Sequence, residues 1–402
     1  MKKSEQRLKS FIEKKIAPAE GSGPLIFNLQ RSKDRKALSK LFEKDRINQA
    51  VDDYEEQLRE LFAVNNPSIF YSPGFGDRFK EHLSFISGKA PLWQQGRWIY
   101  FPWFFTLVHL LEEKDFQKVR TARNRNLITE EEQKIFLDAT VGIGGLSVGN
   151  SVILSIVMQG GANRVRLADH DSLALSNLNR IRAGVESLGL QKTEITARQI
   201  YSLNPYARVE IFPRGLMEKN ISAFFKGPPK LDVVIDELDN LAVKFLIRME
   251  ASRNKVPVVM AADNGDNGVV DIERYDKNPK MKFFHGRMGD VSYEKLASLN
   301  KFQIGGLIAR HVGPENVPER MQRSLMEMGK TIVSWPQLGG AAILNGSAVA
   351  YCVRKILNGQ PLEDNRAIIS LDEKLVPGYD SASARKKRLK AAAGFKKILG
   401  MK

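Results

Sequence analysis

The sequence predicts an α/β protein: a doubly wound, mainly parallel sheet preceded by a smaller, mostly helical N-terminal domain. Three observations carry this. From about residue 121, short β-branched segments alternate with helical patterns, as in a parallel sheet covered by helices. The first of those segments runs into a glycine-rich turn, Gly142-Ile143-Gly144-Gly145-Leu146-Ser147. The length of 402 residues exceeds the roughly 250–300 that one hydrophobic core fills, so two domains are the default.

Taken in chain order, residues 1–24 read as a basic helix ending in the breaker run AEGSGP. Residues 25–120 show amphipathic helical stretches such as INQAVDDYEEQLRELFA, then the aromatic segment WIYFPWFFTLVHLL, with Trp98, Tyr100, Phe101, Trp103, Phe104 and Phe105. Clustered aromatics of this kind form core more often than docking faces. The expected strands are TVGI, RVRLAD, RVEIFP, LDVVID and VPVVMAA. The helices between them are LSVGNSVILSIVMQGG, KTEITARQIYSL and NLAVKFLIRMEASRN. Residues 275–335 read as a long irregular insertion, and GGAAILNGSAVAYCVRKILNG as an apolar helix. The expected domains are thus 1–120, 121–360 and a tail over 361–402 with a basic end.

Hydrophobic residues make up 43% and charged residues 27%, the balance of a folded rather than a disordered chain. The single cysteine, Cys352, excludes an internal disulfide and a paired-cysteine zinc site, so no zinc is expected. One thiol also fits a reducing cytoplasm. No run of about 18 apolar residues predicts a membrane span, and the N-terminus lacks the apolar core of a signal peptide. The net charge is +16, and ARKKRLKAAAGFKKILGMK contributes eight Lys or Arg without an acid. Such an end reads either as a solvated tail or as a polyanion- or membrane-attracting one.

The glycine turn lets backbone approach a phosphate, with the next helix offering its N-terminal amides. Gly142, Gly144 and Gly145 are the expected phosphate-loop positions, and Ser147 stands where a third glycine is usual. The second strand ends in Asp169, 27 residues after Gly142, where a carboxylate can accept from ribose hydroxyls. A strand-end Asp can equally be a cap or turn residue. Together these features point to nucleotide binding without separating NAD from ATP.

Five motifs in order make that separation: DHD and SNLNR within DHDSLALSNLNR, then LGLQK and LNP, then DELDN within VVIDELDN. This set resembles the ThiF/MoeB/ubiquitin-activating superfamily over about residues 121–275, and again at the helix near 337–357. The resemblance implies ATP-dependent adenylation of a carboxylate with ATP and Mg²⁺. It implies that Arg180 and Lys192 neutralise the triphosphate as pyrophosphate leaves. Asn177 would orient ribose or phosphate, Asp171 would support the loop, and Asp239 would ligate Mg²⁺. It also implies a homodimer in which Arg125, in the segment Arg123-Asn124-Arg125-Asn126, reaches a phosphate across the interface. Asp239-Asn240 also reads as a plain helix N-cap.

The chain departs from that pattern in two places. It has no zinc-binding cysteine pairs and no cysteine in the insertion, so adenylation without a thioester step is expected. Cys352, in an apolar helix, reads as core. His285 and His311 show no readable partner and read as structural. The expected substrate is the C-terminal carboxylate of a ubiquitin-like or sulfur-carrier protein. The glycine-loop and SNLNR regions are also similar to the tRNA threonylcarbamoyladenosine dehydratases, which makes tRNA the alternative substrate. A nicotinamide-dependent oxidoreductase conflicts with Arg180, Lys192 and Asp239. A non-catalytic nucleotide-binding scaffold has no evident reason to keep them.

Overall fold

The computed structural model describes residues 3–13 and 23–398, which form two compact units, Met1–Arg123 and Asn124–Lys402. The start of the breaker run, at 19–22, lies outside the described residues.

Helices make up most of the first unit, including Ser32–Glu43, Tyr54–Asn65, Phe75–Ser87 and Glu113–Arg120. The unit also holds a four-stranded sheet that the sequence reading did not pick out: β1 (Leu25–Phe27), β2 (Gln49–Asp52), β3 (Arg97–Phe101) and β4 (Thr106–Leu110), ordered β1-β3-β4-β2. The aromatic segment supplies β3 and β4 as an antiparallel hairpin. Trp98 and Tyr100, two residues apart and therefore on one face, pack with Phe27, Leu29 and Leu107. His109 of β4 is buried between the rings of Tyr54 and Trp98, at 4.0 and 4.3 Å. Its nitrogens lie 2.9 Å from an Asp52 carboxylate oxygen and from the Gln95 carbonyl. β1 is only three residues long and β2 is exposed throughout, so neither shows the alternation that marks a strand.

In the second unit, Glu130–Asp138 starts with a capping box in which Thr129 and Glu132 satisfy each other's backbone N–H groups. It leads into β5 (Thr140–Gly144). β6 (Arg164–Ala168), β7 (Arg208–Phe212), β8 (Val233–Asp236) and β9 (Val258–Asn264) follow, parallel to β5. All five expected strands are present. β10 (Asn267–Glu273) returns antiparallel after the two-residue turn Gly265-Asp266, and β11 (Arg366–Ile369) closes the edge. The order is β11-β10-β9-β8-β5-β6-β7, so the winding reverses between β5 and β8. That reversal opens a crevice at the C-terminal ends of the two strands, where ligands bind in sheets of this kind.

Helix Val148–Met158 is buried along nearly all its length and packs on helix Gly339–Leu357. The helices touch because residue 346 is glycine: a Cβ there would lie 2.8 Å from Ser151 backbone. The insertion is more ordered than its sequence suggested, with helices Tyr293–Ala297, Lys301–Val312 and Glu319–Met326. The basic end forms helix Ala382–Ile398, and residues 399–402 lie outside the described residues. Its Phe395 is buried with Val312, Val317 and Met321, so this segment is docked and not a free tail. Among the described residues no helix is long and apolar enough to cross a membrane.

Candidate active site

The crevice is built from the loops after β5, β6, β8 and β9. In the glycine turn each position has its own reason. Gly142 lies inside β5, hydrogen-bonded into the sheet on both sides, and a Cβ there would lie 2.5 Å from Leu231 and 2.9 Å from Phe224. Core packing by itself therefore demands a glycine at this position. Gly144 ends the strand. Gly145 has φ +85°, and a Cβ on it would overlap the main-chain oxygen of Glu237, so only glycine fits. Its N–H donates to the Ala168 carbonyl at 2.8 Å, tying the turn to β6.

Asp169 is buried and clamps this arrangement. One oxygen accepts the Leu146 N–H at 2.7 Å and the other the Asp171 N–H at 2.8 Å. An ionised carboxylate has about four acceptor sites, so capacity for a ribose hydroxyl remains. Lys192 is 6% exposed and needs a partner to hold its charge. Its Nζ donates to Asp171 Oδ2 at 2.7 Å and lies 4.0 Å from Asp169. Burial pushes the Asp171 carboxyl up, but the hydrogen bond and charge of Lys192 outweigh it and leave it below its ordinary value. Asn177 accepts the Ala174 N–H at 3.0 Å and so shapes the turn that carries Arg180.

Arg180 Nε donates to Ser147 Oγ at 2.8 Å, across the mouth of the glycine turn. Burial lowers it from an arginine's ordinary value, while Asp239 and Asp263 act in the opposite direction. Asp239 is exposed and accepts no hydrogen bond among the described residues. The N-cap duty falls on Asn240, which accepts from Ala242 and Val243 at 2.9 and 3.2 Å. The cap is thus made by Asn240, and Asp239 takes no part in it.

Sequence reasoning missed three groups that line this end. Asp263, at the end of β9, accepts from Asn345 at 2.7 Å and from Gln337 at 3.4 Å. The Gln337 carbonyl in turn accepts from Asn179 at 2.8 Å, joining the last helix's entry to the SNLNR turn. A carboxylate at a strand's C-terminal end was the available signal for Asp263, as it was for Asp169.

Arg125 stands apart. Its neighbour Asn124 donates to the Gln159 carbonyl at 3.0 Å, just beyond the C-terminal end of helix Val148–Met158. The glycine turn is at the other end, about 16 Å away at 1.5 Å per residue. Arg125 is exposed, with Glu130 at 3.9 Å. Within one chain it does not join the other site residues.

Beside the crevice lies a buried ionic network. Asp236 meets Arg248 at 2.5 Å and Lys244 at 3.2 Å, and Arg248 meets Glu273 at 2.8 Å. Asp271 faces His285, Arg287, His311 and Arg366 at 3.0–3.6 Å. His285, which also reaches the Ile272 carbonyl at 2.9 Å, thus pins the insertion to β10, whereas burial pushes the His311 imidazole down to about 3 and it makes no hydrogen bond among the described residues. Cys352 is buried, and burial pushes its thiol up to about 11.

A model of the ThiF family matches residues 121–358. The uncharacterized protein MT1398 of Mycobacterium tuberculosis is 37% identical over 330 residues, 81% of this chain and 45% of that protein. The tRNA threonylcarbamoyladenosine dehydratase of Escherichia coli is 27% identical over 185 residues, 46% of this chain and 68% of that one. The sulfur carrier protein adenylyltransferase of Thermus thermophilus is 29% identical over 150 residues, 37% of this chain and 51% of that one. Apart from the dehydratase, of which it covers 68%, the chain spans about half the length of these curated relatives.

Proposed function

The chain belongs to the ThiF family, and from that membership we propose that it is an ATP-dependent adenylyltransferase acting on a carboxylate. The substrate class is the C-terminus of a ubiquitin-like or sulfur-carrier protein. The observation that carries this reading is the set Arg180, Lys192 and Asp239 around the glycine turn at the switch point. Two cations and a free carboxylate there suit a triphosphate and its metal, and a nicotinamide site has no use for all three.

In this reaction the substrate carboxylate attacks the α-phosphorus of ATP. The bond to the β-phosphate oxygen breaks, leaving an acyl-adenylate and pyrophosphate. Backbone at Gly144 and Gly145 admits the phosphates closely, while Asp169 and Asn177 hold the ribose. Arg180 and Lys192 offset the charge that accumulates on the leaving pyrophosphate; Asp171 keeps Lys192 placed until ATP arrives. Asp239 is a hard oxygen ligand left free by Asn240, which fits Mg²⁺, and the ion supplies charge neutralisation on the phosphates. Arg125, too distant in its own chain, acts from the second copy of a homodimer. The buried Cys352 thiol leaves the acyl-adenylate to be attacked directly by the acceptor. The compartment is the cytoplasm.

A second reading, a tRNA-borne carboxylate, is favoured by one feature. Helix Ala382–Ile398 docks through Ala392 and Phe395 and carries exposed Lys386, Lys390 and Lys397 on the other side, without an acid. Lysines so arranged suit a phosphate backbone.

The test uses hydroxylamine, which intercepts acyl-adenylates as hydroxamates and releases AMP. AMP release stimulated by a fraction of small cellular proteins supports the first reading; stimulation by tRNA supports the second. Release of ADP instead of AMP, or no release with either, sinks both.

A further inference from the structure

We propose that Ser147 is a positioning residue for Arg180. Its hydroxyl, in place of the usual third glycine, holds the guanidinium over the glycine turn before ATP binds. The inference rests on Arg180 being a phosphate-binding group and goes on to say what sets its geometry.

Ser147 directly precedes helix Val148–Met158, where a serine ordinarily accepts a backbone N–H of the first turn. It makes no such cap, and its backbone, at φ −83° and ψ −84°, is not in the extended conformation usual for one. Its Oγ instead accepts Arg180 Nε at 2.8 Å. One terminal nitrogen of the guanidinium donates to Asn179 Oδ1 at 2.9 Å and to the Ser176 carbonyl at 3.3 Å. The other makes no hydrogen bond among the described residues. Asp239 and Asp263 influence Arg180 through space, yet neither forms an ion pair with it within 4 Å among the described residues.

The result is a cation fixed by three neutral acceptors instead of a carboxylate. A guanidinium ion-paired to an acid would have to break that pair to take a phosphate. A free arginine would lose its side-chain rotamer freedom on binding. Neutral acceptors avoid both costs: they orient the group and leave its charge uncompensated at short range. Glycine at 147 provides no acceptor. The substitution thus exchanges close helix–strand packing, the usual task of a third glycine, for control of one side chain. Gly149 keeps the packing workable, since its missing Cβ would already lie 3.0 Å from Ile143.

The experiment is a double-mutant cycle on Mg²⁺–ATP affinity, measured by calorimetry on the full chain for wild type, S147A, R180A and S147A/R180A. S147A is expected to weaken ATP by about five- to tenfold, the usual worth of one such hydrogen bond. In the R180A background the same change should alter affinity less than twofold. S147G should behave as S147A, because the loss belongs to the hydroxyl. A merely structural role would give equal losses in both backgrounds, and that result overturns the proposal, as does S147A binding ATP like wild type. R180A binding ATP like wild type would overturn the phosphate role of Arg180 and the proposal together. R180A weakened without coupling to Ser147 overturns the proposal alone.

Discussion

Replacing Asp271 by asparagine tests the buried network that anchors the insertion to the sheet. Asp271 is 2% exposed, and its carboxylate faces Arg287 at 3.0 Å, His285 at 3.2 Å, Arg366 at 3.3 Å and His311 at 3.6 Å. Burial pushes this carboxyl up, but the His285 hydrogen bond and the neighbouring positive charges prevail and bring it from 3.8 to about 2. A carboxylate lowered on folding stabilises the protein above its unfolded value and loses that contribution as pH falls through the folded value. The gap corresponds to about 2 kcal/mol, present above pH 4 and lost toward pH 2. Asn keeps the shape but leaves Arg287 and Arg366 facing a neutral group, and breaking a buried pair in this way costs about 3–5 kcal/mol. The two figures bracket the expected loss at pH 7, to be read by urea denaturation with ATP affinity as a control for the site. A D271N protein within about 1 kcal/mol of wild type would refute the reasoning, since it would mean that the cations do not depend on Asp271.

Four further outcomes follow from the same geometry. Gly145→Ala should cost more than about 2 kcal/mol, from its left-handed backbone and the overlap with Glu237, whereas Gly144→Ala meets only the side chains of Leu238 and Leu216 and should cost less; denaturation midpoints decide. Asp239→Ala should leave the melting temperature unchanged and weaken ATP more than about tenfold with Mg²⁺ but not in EDTA, since the residue is exposed and unbonded in the described structure. R125A and D239A proteins, each inactive, should regain about a quarter of wild-type activity when mixed, because half the dimers are hybrids with one complete site; no recovery would place Arg125 outside the site. Native protein should resist iodoacetamide at neutral pH, and Cys352→Ala should retain activity, because burial holds the thiol near 11.

Most of the parallel sheet was legible because its strands are short β-branched runs punctuated by turns, and because the glycine turn and Asp169 mark where the first two end. β10 escaped because Asp271 and Glu273 interrupt its apolar pattern with charges that only the folded network explains. The insertion escaped because its helices are mostly too short to show a period. In the candidate site, Asp169, Arg180, Lys192 and Asp239 were expected from motif spacing, and the fold places all four around the crevice. The packing demand of Phe224 and Leu231 on Gly142 was not legible, because a glycine required by core side chains looks, in sequence, like one required by a phosphate. The link between Ser147 and Arg180 spans 33 residues and depends on one rotamer, so no local pattern could reveal it.

ATP–[³²P]pyrophosphate exchange with Mg²⁺ tests the central claim most directly, with a small-protein fraction and tRNA supplied separately as sources of the carboxylate. The account predicts exchange that appears with the small-protein fraction and disappears in Asp239→Ala. No exchange with either fraction, together with ATP binding that survives Asp239→Ala, would contradict it and leave a nucleotide-binding scaffold.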